Sequence, residues 1–271
     1  VGDVDGDGFD DILIGAPTAD PGGNSTAGEA YLILGGSTHL SALDGNGDGV
    51  VALTAMNGTD GFRFQGTDAG DRSGYSVSGA GDINGDGLVD LIIGVYRGDS
   101  AASDAGETFV VFGGTSHLTG LDGNGDGIIA ITDIAGSHGF RIDGVSAGDQ
   151  AGRSVSHGGD INGDGYDDLL IAAYSVDFSG ATNAGATYVV FGGSSVGSGG
   201  TLALSSLTSS TGLRLDGIDA SDYSGEAVSA AGDVNGDGFD DLIIGADHAD
   251  PGGDSAAGES YVVFGGDHSS S

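Results

Sequence analysis

Side-chain oxygens recur at alternate positions in four short segments punctuated by glycine: GDVDGDGFDD from Gly2, GDINGDGLVD from Gly81, GDINGDGYDD from Gly159 and GDVNGDGFDD from Gly232. With the first aspartate as position 1, oxygen ligands stand at positions 1, 3, 5 and 9, Gly at 6, and a backbone carbonyl is on offer at 7. The side-chain sets are Asp3, Asp5, Asp7, Asp11; Asp82, Asn84, Asp86, Asp90; Asp160, Asn162, Asp164, Asp168; and Asp233, Asn235, Asp237, Asp241. Phe9, Leu88, Tyr166 and Phe239 would supply the carbonyl. Alternate side chains in a tight loop converge on one centre, and hard oxygen donors at this density suit Ca²⁺, which accepts six to eight of them at irregular angles. Mg²⁺ fits less well because it prefers octahedral geometry and retained waters. Left without a counterion, three or four carboxylates within nine residues would repel one another at considerable cost. About four Ca²⁺ ions are therefore expected.

An EF-hand opens in the same way but closes with a bidentate Glu at position 12 between two helices. Here position 12 is Ile14, Ile93, Ile171 and Ile244, each inside an apolar run, so the ninth-position aspartate must close a strand–loop–strand unit. Two shorter copies, Asp44, Asn46, Asp48 and Asp122, Asn124, Asp126, have Ala52 and Ala130 at the ninth position. They lack the closing acid, although Asp133 at position 12 could serve the second. They read as weak metal sites or as simple turns.

The elements that carry these loops repeat with them, the first aspartate falling at 3, 82, 160 and 233. Each loop is followed by an apolar run (Ile12–Ile14, Leu91–Ile93, Leu169–Ile171, Leu242–Ile244). A second run then follows, rich in aromatic and β-branched residues and ending in Gly-Gly, from Tyr31, Phe109, Tyr188 and Tyr261. These are strand signals. A third run alternates at Gly61–Phe64, Gly139–Ile142 and Gly212–Leu215, and a fourth, of small residues, precedes each later loop at Gly74–Ser78, Gly152–Ser156 and Gly225–Ser229. Four short strands per repeat without helical periodicity predict an all-β β-propeller of four-stranded antiparallel blades, the small-residue strand lying nearest the axis.

Composition removes other classes. The 271 residues hold six Arg, no Lys and 41 acids, a formal charge of -35, so a phosphate backbone or an anionic membrane surface would repel the chain. Nucleic acid is excluded as a partner. No apolar run approaches the ~20 residues of a membrane-spanning helix, and no membrane insertion is expected. Without cysteine there is no disulfide framework and no thiolate site, which leaves cations as the staple. Hydrophobic residues make up 38% of the chain in ordered blocks, which distinguishes it from an acidic disordered tail. The chain opens on Val1-Gly2-Asp3, inside a motif, and the absence of a leader there says nothing about compartment.

The order Gly139-Phe-Arg-Ile-Asp-Gly, Gly152-Arg-Ser-Val-Ser, GDINGDGYDD, Leu169-Leu-Ile and Tyr188-Val-Val-Phe-Gly-Gly resembles the FG-GAP repeat, which builds the seven-bladed propeller at the head of integrin α subunits and of many bacterial surface proteins. The name-giving tripeptide stands intact once, as Gly15-Ala16-Pro17. The resemblance implies Ca²⁺ in the loop between the first two strands of a blade. It covers nearly the whole chain except the inserts around 37–58, 115–137 and 194–211. The chain reads as one propeller region, 1–271, with repeats near 1–73, 74–151, 152–224 and 225–271. About four blades are covered, the first without its inner strand and the last without its outer one. A part of a seven-bladed ring, or a chain closed by a partner, is expected, because open sheet edges would otherwise be exposed.

No catalytic constellation stands out. The six His (39, 117, 138, 157, 248, 268) are scattered through turns and inserts. In pairs such as Asp10/Asp11 and Asp167/Asp168 the repeat assigns the second acid to the metal and the first to a solvated strand edge. Arg97-Gly98-Asp99 spells an integrin-binding tripeptide, yet Asp20, Asp99, Asp177 and Asp250 share one repeat position, and chance supplies the rest. The expected function is a non-catalytic, calcium-stabilised extracellular module for adhesion or matrix contact, secreted or at the cell surface, with a protein or glycan ligand. Two alternatives stand beside it: a carbohydrate-binding propeller portion of a polysaccharide-active enzyme or lectin, disfavoured by the absence of Trp, and a structural filament subunit self-associating through incomplete terminal blades.

Overall fold

The computed structural model describes residues 1–36 and 38–267; His268 lies outside them. The first repeat contributes β1 (Ile12–Ala16), β2 (Glu29–Ile33) and β3 (Gly61–Gln65), with a short helix α1 (His39–Leu43) in its insert. The second contributes β4 (Ser76–Gly81), β5 (Asp90–Val95), β6 (Glu107–Val111), α2 (Thr115–Leu121), β7 (Ile128–Ala130) and β8 (Gly139–Asp143). The third contributes β9 (Ala151–Gly159), β10 (Asp168–Ala173), β11 (Ala186–Val190), β12 (Thr201–Ala203) and β13 (Gly212–Asp216), and the fourth β14 (Ala227–Gly232), β15 (Asp241–Ala246) and β16 (Glu259–Val263).

They form four sheets of three to five strands, consistent with propeller blades: β1-β2-β3-β7, β4-β5-β6-β8-β12, β9-β10-β11-β13 and β14-β15-β16. The expectation of purely antiparallel, four-stranded blades needs correction. The inserts of the second and third repeats cross to the preceding sheet and pair parallel with its outer strand, β7 on β3 and β12 on β8. An outer strand otherwise presents unpaired N–H and C=O groups, and the insert satisfies them: Arg63 N–H donates to the Gly127 carbonyl at 2.8 Å and Arg141 N–H to that of Gly200 at 3.1 Å.

Side chains alternate across a strand, and here both faces are apolar because each middle sheet is covered on both sides. On β5, Leu91 and Ile93 join Leu32, Phe62 and Phe64 in the core facing the first sheet. Ile92 points the other way, into a core with Leu169, Ile171 and Tyr188 of the third. On β10, Leu170 meets Leu242 and Ile244 of the fourth sheet. Fully burying each such side chain contributes roughly 1.5–3 kcal/mol, so packing between neighbouring sheets dominates.

The inner strands β4, β9 and β14 touch through serine, which explains why small polar residues fill them. Ser76 Oγ accepts from Val155 N–H at 3.0 Å, and Ser154 Oγ from Val228 N–H at 3.2 Å. One residue earlier the repeats carry Tyr75, Arg153 and Glu226. The Arg153 guanidinium lies 4.5 Å from the Tyr75 ring centre and 4.8 Å from that of Tyr174, and donates to Glu226 Oε1 at 2.9 Å.

Candidate metal centre

Each acidic loop is folded by its own aspartates. In the second loop Asp82 Oδ1 accepts from Gly85 and Asp86 N–H at 2.8 and 2.9 Å, and Oδ2 from Gly87 N–H at 2.9 Å. Asn84 Oδ1 accepts from Asp86 N–H, and Asp86 Oδ1 from Leu88 N–H. The pattern recurs at Asp3, Asp160 and Asp233. It curls the chain so that the side chains at positions 1, 3 and 5 share one side, with glycine taking the positive φ at position 6, as Gly87 does at +88°.

The ninth-position aspartate is buried in all four repeats. Its two oxygens tie the loop to the sheet: Asp90 Oδ2 accepts from Ile83 N–H at 3.1 Å and Oδ1 from Gly113 N–H at 2.8 Å, the glycine that follows the second strand run. Asp11, Asp168 and Asp241 repeat both bonds. Burial pushes the Asp90 carboxyl up to about 8, against its Gly113 hydrogen bond and with Asp86 adding repulsion. Asp168 is pushed to about 7 in the same way, and Asp11 and Asp5 are raised, chiefly by burial. Burial thus favours the neutral acid at these positions, and a cation nearby would act in the opposite direction by favouring the carboxylate.

In the first loop Asp3, Asp5 and Asp11 each place one carboxylate oxygen within 4.8 Å of the others, and this all-oxygen set could hold a metal ion. The other loops replace the acid at position 3 with Asn84, Asn162 or Asn235, whose amide also donates to the position-5 aspartate. The inserts at Asp44 and Asp122 adopt the same turn: Asp48 and Gly49 N–H groups bond to Asp44, and Asp126 and Gly127 to Asp122. With Ala52 and Ala130 at position 9 they have no buried closing carboxylate, and Asp133 is exposed.

One reading is corrected in part. Asp10 is exposed, as expected of a solvated edge, but Asp167 Oδ2 accepts from Asp82 N–H at 2.7 Å and Asp240 Oδ2 from Asp160 N–H at 2.9 Å, so these two clasp the preceding repeat's loop. The only signal in the sequence was the doubled Asp, broken at Val89-Asp90. The position-7 side chains also have a role beyond their carbonyl: Tyr166 and Phe239 cover Gly85 and Gly163 of the preceding loop. Asp20, Asp99, Asp177 and Asp250 each anchor a turn, accepting from Thr26, Asp104, Asn183 and Ala256 N–H. Asp99 is thus engaged in the fold, as its repeat position indicated. Nearby, burial together with Asp68, Glu107 and Asp99 pushes Asp71 up to about 7.

The FG-GAP repeat matches residues 1–33, 73–111, 151–190 and 224–263, four segments that each hold a closing aspartate and the two strands it joins. The chain belongs to the FG-GAP repeat family. Among curated proteins it is 33% identical over 196 residues to Integrin alpha-PS5 of Drosophila melanogaster, 69% of this chain and 16% of that protein. It is 28% identical over 260 residues to Integrin alpha pat-2 of Caenorhabditis briggsae, 90% of this chain and 17% of that protein. It is 30% identical over 183 residues to Phosphatidylinositol-glycan-specific phospholipase D of Bos taurus, 67% of this chain and 19% of that protein. The FG-GAP chain therefore spans less than a fifth of the length of these relatives. No helix among its described residues is long and apolar enough to cross a membrane.

Proposed function

We propose that this FG-GAP chain is the calcium-stabilised propeller portion of an extracellular adhesion protein, with one Ca²⁺ in each of the four loops and a protein or glycan ligand at the cell surface or matrix. The convergence of Asp3, Asp5 and Asp11 carries the reading, because the loop that creates it recurs three more times with the same hydrogen bonds. In each site the oxygens at positions 1, 3, 5 and 9 and the carbonyl at 7 would surround the ion. Ca²⁺ would supply charge compensation and cross-linking only. The module is non-catalytic and works outside the cell, an assignment that the integrin kinship supports. Millimolar external Ca²⁺ fills even modest sites, and each contributes ~2.7 kcal/mol when the free ion is a hundredfold above its dissociation constant. Four ions would bring the charge of -35 to about -27, which eases self-repulsion. The whole of 1–271 acts as one propeller region, its open first and last blades being part of a larger ring.

Calorimetric unfolding with Ca²⁺ titrated from chelator to ~10 mM, the range of extracellular affinities, tests the proposal. A large calcium-dependent rise in melting temperature is expected; no rise would refute it.

A further inference from the structure

The inserts of the first two repeats are built alike, and they differ at one facing pair. In the first, His39 of α1 meets Asp60, the residue before β3, and its Nδ1 lies 3.1 Å from Asp60 Oδ1. In the second, His117 of α2 holds the place of His39, but the residue before β8 is His138. The two rings stand edge to face with their centres 5.6 Å apart. Both Nδ1 atoms are buried, and neither has a hydrogen-bond partner among the described residues. A buried polar atom left in this way calls for an explanation, an ion being one of them. A second exchange accompanies the first. Ala42 of α1 becomes Gly120 in α2, and a Cβ built on Gly120 would lie 2.7 Å from Cε1 of His138. The glycine makes room for the second imidazole, so the surroundings are fitted to the pair. Phe112 closes one side, its ring centre 6.4 Å from that of His117.

We propose that His117 and His138 form a site for a divalent first-row transition ion of the Zn²⁺ class. Neutral imidazole suits such ions, whereas the oxygen donors of the acidic loops suit Ca²⁺. Two imidazoles that share one ion at Zn–N distances of about 2.0–2.1 Å hold their ring centres about 5–6 Å apart, and these rings already stand at that separation. Water completes the coordination. The ion ties α2 to the turn ahead of β8, as His39 and Asp60 tie α1 directly in the first insert. Leu118 and Leu121 of α2 enter the core between the first two sheets, so holding the helix down also holds that core closed. The formal charge of -35 raises the local concentration of any dication. The proposal does not depend on calcium occupancy.

Zn²⁺ titrated by calorimetry into the chain in ~10 mM Ca²⁺, which keeps the oxygen loops supplied with their own cation, tests the proposal, with the imidazole NMR signals followed in parallel. The His117 and His138 signals are expected to shift together over the first equivalent of Zn²⁺, ahead of those of the other histidines. The melting temperature should rise with them, because the ion binds the folded form. His138→Asp copies Asp60 of the first insert, so this chain should fold with His117 still paired, yet lose the first equivalent and the rise. His117→Gln should lose both as well. A first equivalent that shifts neither ring, or only one of them, would overturn the proposal, as would variants that take up Zn²⁺ like the wild type. Should a variant misfold, the NMR titration of the wild-type chain decides alone.

Discussion

Removing the closing carboxylate of one loop separates its two roles. Asp168 is buried, with Oδ2 bound to Ile161 N–H and Oδ1 to Gly192 N–H, both at 2.9 Å. Asp168→Ala leaves the buried Ile161 N–H and the half-buried Gly192 N–H without partners; a buried donor so left costs about 1–3 kcal/mol and the half-buried one less, a loss of roughly 2–4 kcal/mol. Asp168→Asn keeps one acceptor and turns an NH₂ toward the other donor, which halves that loss to roughly 1–2 kcal/mol. Neither figure involves an ion. The ion enters as a second difference: if Asp168 closes a calcium site, adding Ca²⁺ to a hundredfold excess stabilises the wild type through this loop by ~2.7 kcal/mol that the variants do not gain. Urea unfolding in chelator and in Ca²⁺ gives both numbers. The gap between the wild type and the Asp168→Asn chain should widen by about 2–3 kcal/mol on adding calcium. A gap of the same size in both buffers would show that Asp168 ties strands together and binds nothing. A cost below about 1 kcal/mol for Asp168→Ala would refute the accounting of buried donors.

Asp167→Val, which copies Val89 of the preceding repeat, should lose the bond to Asp82 N–H and about 1.5–3 kcal/mol of stability, as read by chemical denaturation. Gly163→Ala and Gly236→Ala place the same residue at φ of +77° and +78°, but a Cβ at 163 would lie 2.5 Å from the Phe239 ring and one at 236 meets nothing. The first should therefore cost more in melting temperature, and equal costs would argue that the ring does not pack there. Asp71, pushed up to about 7, holds its proton in the fold well above the 3.8 of the unfolded chain. Its charge thus costs nothing below about pH 4 and a growing amount as pH rises to about 7. Asp71→Asn should raise the melting temperature at pH 8 and lose that advantage by pH 4; an advantage independent of pH would refute the cause.

The strands and the acidic loops were legible because both rest on local pattern: β-branched runs bounded by glycine, and acids at alternate positions closing at a fixed ninth. The parallel strands β7 and β12 were not, since Ile128–Ala130 and Thr201–Ala203 are three residues long, and what makes them strands is an open edge some sixty residues away in β3 and β8. The clasp by Asp167 and Asp240 escaped for the same reason. Within its own repeat the eighth-position acid has no partner, and the N–H it accepts belongs to the loop before it. Asp99, by contrast, could be assigned to the fold from sequence, because comparison with Asp20, Asp177 and Asp250 already separated the shared aspartate from its accidental neighbours.

Repeats this alike carry a folding hazard, since any blade's strand could dock where its neighbour's belongs. The Tyr75–Arg153–Glu226 row bears on that hazard. One repeat position holds a ring, a cation and an acid in succession, and the cation contacts both of the others. Exchanging the second and third repeats would set a tyrosine against Glu226 and strip Arg153 of its acid. The second, third and fourth repeats are therefore not interchangeable at this position: the row keeps both contacts only with the arginine between the ring and the acid, so side-chain chemistry as well as covalent connection tells these neighbours apart.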